Sequence, residues 1–215
     1  MVFLICSAPR SYAKEDVLCP TSIASIEGNY FSNKIIPILS QIYEKIGCSL
    51  NLNPLPGRRG IHYFNTGKVD GEVVRFEIVE EKFERPFIRS EVPLLMLSGS
   101  LWQHPDHMDG KNSPIGYAIG ALWQEEFAKT HNTQIFDTTT EVLQAYNAGS
   151  ISAFIAVDVS VDLMGEGGLM PPPVRIETIH ENPAYHYLAE EFAPFMILLS
   201  EELKKSDPFK ALKNK

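Results

Sequence analysis

The chain has 215 residues, enough for one large or two small domains, and 44% hydrophobic against 21% charged residues is an ordinary globular balance. A formal net charge of −8 argues against nucleic acid as a partner, because phosphate binding needs a basic footprint. No apolar run approaches the ~18 residues that would span a bilayer.

Met1 to Cys6 is apolar, Ser11-Tyr12-Ala13 supplies small residues at the two positions a signal peptidase reads, and charged Lys14-Glu15-Asp16 follow. Residues 1–13 therefore read as the end of a secretory signal peptide. The alternative is a buried N-terminal segment. Beyond Cys6, Cys19 and Cys48 form an even count: either one disulfide in an oxidising compartment or two buried thiols.

Val17 to Ile26 is short, apolar and β-compatible. Ile35, Ile38, Leu39, Ile42 and Ile46 recur at helical spacing, which predicts a helix over Asn33 to Ile46 with Pro37 in its first turn and Gly47 as its stop. Cys48 to Leu52 reads as a second strand. A Pro-Gly turn then opens a helix over Arg58 to Thr66, closed by Gly67, and Val69 to Phe76 follows as a strand. Phe83 to Ser98, broken by Pro86 and Pro93, reads as the chain leaving a first lobe, and Leu101 to Ser113 is polar and turn-rich.

A second α/β pattern starts at Pro114. Ile115 to Ala118 and Gln134 to Asp137 read as strands around a helix over Ala121 to Thr130. Thr138-Thr139-Thr140-Glu141 matches a capping box, opening a helix to Asn147. Ile151 to Val157 is a buried strand ending at Asp158. The Gly165–Gly168 and Pro171–Pro173 clusters break structure. Val174 to Ile179 and Tyr185 to Leu188 read as strands, and Ala193 to Lys204 as the last helix. Asn65-Thr66-Gly67 and Asn147-Ala148-Gly149 each precede a strand of similar length, which suggests two lobes of similar architecture.

The motifs of nucleophilic hydrolases, P-loop enzymes, dinucleotide binders and zinc proteases are all absent, and nothing implies a cofactor. His104, Asp106, His107 and Asp109 hold metal-ligating atoms, but Pro105 and Gly110 make the segment read as a solvated turn. Glu80-Glu81 with Glu84, and Glu190-Glu191, read as solvated faces rather than acid–base pairs. Binding residues are better motivated. Arg75 stands near a strand's carboxyl end, where open sheets bind ligands. Arg58 and Arg59 stand at a helix start, where their charge opposes the helix dipole. Ile119-Gly120 lies where a strand meets a helix, so its N–H groups are candidate anion donors. Asp158 follows a strand, as an acceptor for a ligand amine or as a cap. Tyr117 and Trp102 either stack on a ligand or simply pack.

Two motifs together resemble the extracellular solute-binding proteins of family 3, the type II periplasmic-binding-protein branch that serves ABC importers. One runs from Ile42–Gly47 through Pro56-Gly57-Arg58-Arg59 to Asp70-Gly71-Glu72-Val73-Val74-Arg75. The other is Ile115-Gly116-Tyr117, Gly120, Thr140-Glu141, Ala148-Gly149 and Ala153-Phe154-Ile155. The resemblance implies two α/β lobes, each with a central mixed sheet, joined by a two-stranded hinge: residues 14–96 with 184–215, and residues 97–183. It implies a periplasmic, monomeric, non-enzymatic protein that closes on a small polar or anionic solute and meets a membrane permease or a receptor kinase. A sensor lobe and a dehydratase with Asp158 as base are the alternatives on this fold. The implied pocket takes Arg75 and Arg59 from one lobe, and Tyr117, Ile119, Gly120 and Asp158 from the other. Arg85 competes with Arg75 for the arginine that amino-acid binders use, and Ser152 stands where many relatives have Asp.

Overall fold

The computed structural model describes residues 17–29, 31–107, 113–165 and 168–213. The expected signal-peptide end at 1–13 and Asp109 of the histidine turn lie outside the described residues. Helix α1 (Ser32–Ile46) forms as its spacing predicts, burying Ile35, Leu39, Ile42 and Ile46 on one face. Pro37 stands in the second turn rather than the first, because the helix begins at Ser32. Its missing N–H removes the usual bond to the Asn33 carbonyl, and both residues lie on the exposed side.

The first strand, β1 (Ile23–Ile26), is flanked by two parallel neighbours, β2 (Leu52–Leu55) and β3 (Gly71–Phe76). β2 begins where the expected strand at Cys48–Leu52 was to end. It lies at the sheet edge, which explains how Pro54, lacking an N–H, sits within it. Helix α2 (Gly57–Asn65) connects β2 to β3. After β3 come a 3-10 turn and the short strand β4 (Phe87–Arg89), then β5 (Leu95–Gln103), which runs further into the polar stretch than its composition suggested.

The next passage repeats the plan. β6 (Ile115–Ala118) pairs in parallel with β7 (Thr133–Phe136) and β8 (Ala153–Val157), with α3 (Leu122–Ala128) and α4 (Thr139–Asn147) between them. The capping box forms: Thr138 Oγ1 accepts from Glu141 N–H at 3.2 Å, and Glu141 reaches back to Asp137 N–H at 3.0 Å. Gly67 and Gly149, the paired helix stops, have φ of 69° and 70°. Helix α5 (Asp158–Gly165) was not expected, since β-branched Val159 and Val161 and the following glycines disfavour it. Tertiary burial of Ser160 and Val161 overrides that weak propensity.

β9 (Val174–Ala189) is one strand of 16 residues where two were expected; Pro183 sits opposite Met96 without ending it. Helices α6 (Ala193–Ser206) and α7 (Lys210–Lys213) close the described chain. The sheet order is β2-β1-β3-β9-β5-β8-β6-β7, with β4 paired to β9. Its two halves, β2-β1-β3-β9 and β7-β6-β8-β5, have the same plan of three parallel strands and one antiparallel.

Each half has its own core. One gathers α1, α6 and the strands around Ile23, Val73 and Leu188, and the other centres on Tyr146, Phe154 and Leu143. The antiparallel β5–β9 ribbon belongs to both: β5 gives Leu95 and Leu97 to the first core and Trp102 to the second. Its register shifts twice, between Gly99 and Ser100 and between Leu101 and Trp102, so the ribbon twists where it leaves one core for the other. Cys19 is joined to Cys48 by a disulfide with Cα atoms 5.5 Å apart, tying the segment before β1 to the end of α1.

Candidate functional site

The parallel strands of both halves point their carboxyl ends at one cleft, the place where open sheets bind ligands. The cavity there has a volume of about 90 Å³. Glu27 and Asn29 follow β1, Arg75 and Phe76 end β3, and Ala118 to Gly120 follow β6. Asp137 and Thr138 precede α4 and Thr139 opens it, Ser160 comes from α5, and Leu97 and Ala184 belong to the ribbon. Phe31, Phe76 and Trp123 make much of the wall apolar.

Direct contacts bridge the halves on either side of this cavity. Thr140 Oγ1 donates to the Gly28 carbonyl at 3.0 Å. At the other side the α2 N-terminus meets the loop after β6, backbone against backbone. Gly120 has φ of 86°, and a Cβ there would stand 2.6 Å from Arg58 N, so both the conformation and the approach require glycine. Arg58 grips Glu125 with two bonds, Nε to Oε1 at 3.1 Å and Nη2 to Oε2 at 3.0 Å. Glu125 Oε1 also accepts from Gly120 N–H at 2.7 Å. Partial burial works against this carboxylate, but Arg58 and the Gly120 N–H outweigh it and hold the carboxyl below its usual range.

The expected site residues separate into two groups. Arg75, Ile119 and Gly120 line the cavity; Arg59, Tyr117 and Asp158 do not. Arg59 lies on the exposed side of α2. Asp158 Oδ2 accepts from Arg175 at 3.1 Å, while its buried Oδ1 has no partner among the described residues. Trp102 is buried in the second core. Arg85 pairs with Glu191 and donates to the Val69 carbonyl, away from the cavity. His104 and His107 lie ring to ring at 4.7 Å, and no cluster of metal-ligating side chains forms among the described residues.

Arg75 reaches the cavity with its charge already met. It is 6% exposed and donates from Nε and Nη2 to the Glu72 carboxylate at 3.0 and 3.2 Å. Nη2 also donates to the Gly57 carbonyl at 2.9 Å. Burial raises the Glu72 carboxyl, and Arg75 offsets part of that rise. Gly60 lets α2 lie on this pair, since a Cβ there would be 2.7 Å from Glu72 Oε1. The expected anion donors are occupied too: Ile119 N–H bonds the Phe136 carbonyl at 2.9 Å, and Gly120 N–H bonds Glu125.

Glu125 was missed by the sequence reading, which took its helix for an ordinary amphipathic one. Its signal was an acidic residue five positions after a strand-end glycine. His180, also missed, sits on the ribbon between the Phe76 ring at 4.6 Å and a parallel Trp123 ring at 5.5 Å. Burial lowers its pKa. Trp123 fits there because Gly99, opposite His180 in the ladder, has no side chain: a Cβ would meet the indole at 2.5 Å.

No protein-family model matches the sequence, and no curated protein is similar to it by sequence. Solved structures are similar in fold. One is an ancestral arginine-binding protein bound to arginine, with a TM-score of 0.73 at 13% identity over 90% of this chain and 96% of that one. The fold is that of the periplasmic-binding-protein-like proteins. A histidine kinase sensor domain with similarity to periplasmic binding proteins aligns at TM-score 0.71 and 11% identity, over 89% of this chain and 92% of that one. An ancestral amino-acid-binding protein described as a precursor of cyclohexadienyl dehydratase aligns at 0.68 and 12%, over 89% and 93%.

Proposed function

We propose that this protein captures a small solute in the cleft between the two halves of its sheet. The observation that carries the reading is the cavity at the carboxyl ends of both sets of parallel strands, bridged on two sides by contacts between the halves. Residues 14–96 with 184–215 act as one lobe and 97–183 as the other, and the twice-shifted β5–β9 ribbon is the hinge. Arg75 shapes the lobe that carries it, through Glu72 and Gly57, rather than gripping the solute. The Ile119-Gly120 segment serves as a closure surface.

The protein works outside the cytoplasm as the solute-binding component of an ABC importer. The Cys19–Cys48 disulfide supports an oxidising compartment, and no described helix is long and apolar enough to cross a membrane. It acts as a monomer, since the cavity is complete within one chain. Binding rather than catalysis is favoured because Asp158, the base a dehydratase would use here, is paired with Arg175 and is not among the residues lining the cavity. The similarity to a kinase sensor domain favours one second reading, in which the same capture reports to a receptor.

A thermal-shift screen of amino acids, organic acids, amines and small sugars tests the capture. A ligand at a hundred times its Kd raises unfolding free energy by about 2.7 kcal/mol, a readily measured rise. If every compound leaves the melting temperature unchanged at millimolar concentration, the reading fails. Stimulation of a permease–ATPase by the loaded protein would separate import from sensing.

A further inference from the structure

Resting on the capture reading, we propose that the indole of Trp123, seated on Gly99 and His180, is the gauge that sets how large an apolar group of the solute the cleft accepts. Trp123 lines the cavity from the second half, while Phe31 and Phe76 line it from the first. Its ring is held on the ribbon by the parallel His180 ring at 5.5 Å, and Phe76 meets His180 edge-on at 4.6 Å. A row of three rings thus crosses from one half to the other. The backbone is fixed as well. The side chain of the neighbouring Gln124 accepts from Ala118 N–H at 2.8 Å and donates to the Ile155 carbonyl at 3.3 Å, which pins the first turn of α3 against β6 and β8.

The seat at Gly99 makes the indole a gauge. Gly99 follows Leu97 on the buried face of β5, and Leu97 lines the cavity. A Cβ at Gly99 would stand 2.5 and 2.7 Å from Cη2 and Cζ2 of the indole, where ordinary contact begins at 3.4 Å. The ring would have to give by roughly 0.9 Å. With β5 on one side and His180 along one face, the direction left to it is into the cavity. A glycine inside a strand weakens that strand and marks a close approach, and here the approaching group is the cavity's own wall. A volume of about 90 Å³ has little slack for such a shift. One methylene more or less in a tight apolar pocket changes binding by about tenfold or more. The solute class that follows is a small molecule with an apolar group directed at Trp123, whatever its polar head.

Calorimetric titration of the full chain with four straight-chain series reads the gauge: acetate to hexanoate, ethylamine to hexylamine, ethanol to hexanol, and alanine to norleucine. In any series that binds, wild-type affinity should peak at one chain length. Gly99→Ala should move the peak to shorter members and weaken the longest binder by about tenfold or more, while Trp123→Leu should move it to longer ones. A purely structural role would weaken every member alike. If the peak keeps its length in both variants, or moves the same way in both, the gauge proposal falls and solute capture stands. Should either variant fail to fold, a Trp102→Phe chain, whose only tryptophan is Trp123, decides the matter. Saturation with the best-bound member should change its emission and shield it from acrylamide; unchanged emission and quenching overturn the proposal. If no series binds but another compound of the thermal-shift screen does, the solute presents no such apolar group and the gauge falls alone. If nothing binds at all, both readings fall.

Discussion

Arg75 shows how a single residue can change meaning without changing place. Near a strand's carboxyl end it reads as a ligand grip, yet its Nε and Nη2 are engaged by Glu72 and the Gly57 carbonyl. Replacing it with alanine would strand a carboxylate that is 1% exposed. Arg75→Ala should therefore cost about 3–5 kcal/mol, the range for breaking one side of a buried pair. Urea unfolding measures it, and a loss below 1 kcal/mol would return Arg75 to a binding role. His186 is a second buried polar residue. Its Nδ1–H donates to the Val73 carbonyl at 3.0 Å and its Nε2 accepts from Tyr43 OH at 2.7 Å. Burial lowers its pKa to about 4 from 6.5. Below 6.5 the unfolded chain binds the proton that the folded chain refuses. The stabilisation is thus complete above that pH and is lost as the pH falls from 6.5 through 4, by ~3 kcal/mol in all. His186→Gln should flatten this part of the stability–pH curve; a wild-type curve already flat between pH 7 and 4 would contradict the assignment.

Elements were legible where one local signal decided them. The spacing of Ile35, Leu39, Ile42 and Ile46 foretells α1, and Thr138 with Glu141 foretells the start of α4, because both are settled within a few residues of chain. α5 was illegible since its valines and glycines speak against a helix that only tertiary burial supports. β9 was split into Val174–Ile179 and Tyr185–Leu188, and only its partner strands β5 and β3, paired along its length, show that it is one strand. The site was legible as a location and not as chemistry. Sequence placed Arg75, Ile119 and Gly120 at strand ends, but could not show that Glu72, Phe136 and Glu125 had taken their hydrogen bonds, for such partners come from elsewhere in the fold. The contact between the α2 N-terminus and the loop after β6 gives a test at this scale. Gly120→Ala forces a side chain onto φ of 86° and against Arg58 N. It should cost about 1–2 kcal/mol and speed hydrogen exchange at Gly57 to Gly60. Unchanged exchange there would mean that the two surfaces do not need each other.

For the whole molecule, two cores share one ribbon, and the formal net charge is −8. The disulfide fastens the outer edge of the first half by closing a chain separation of 29 residues. Its removal through Cys19→Ser with Cys48→Ser should cost roughly 3–4 kcal/mol on the loop-entropy relation. The loss should register as a lower urea midpoint; an unchanged midpoint would leave the bridge without a stabilising role.

The strand order also bears on when each half can form. The side of β3 that faces the middle of the sheet is covered by Tyr185 to Leu188 of β9, over a hundred residues further along the chain. The β6–β7–β8 unit needs only β5, which has already been made. On a ribosome the half begun first is therefore finished last. A released fragment ending after Gly168 should protect the Phe154 region from protease while leaving α1 and α2 open to cleavage. The final stretch of β9 then acts as a closing signal, sealing the first sheet only after the β6–β7–β8 unit has been made.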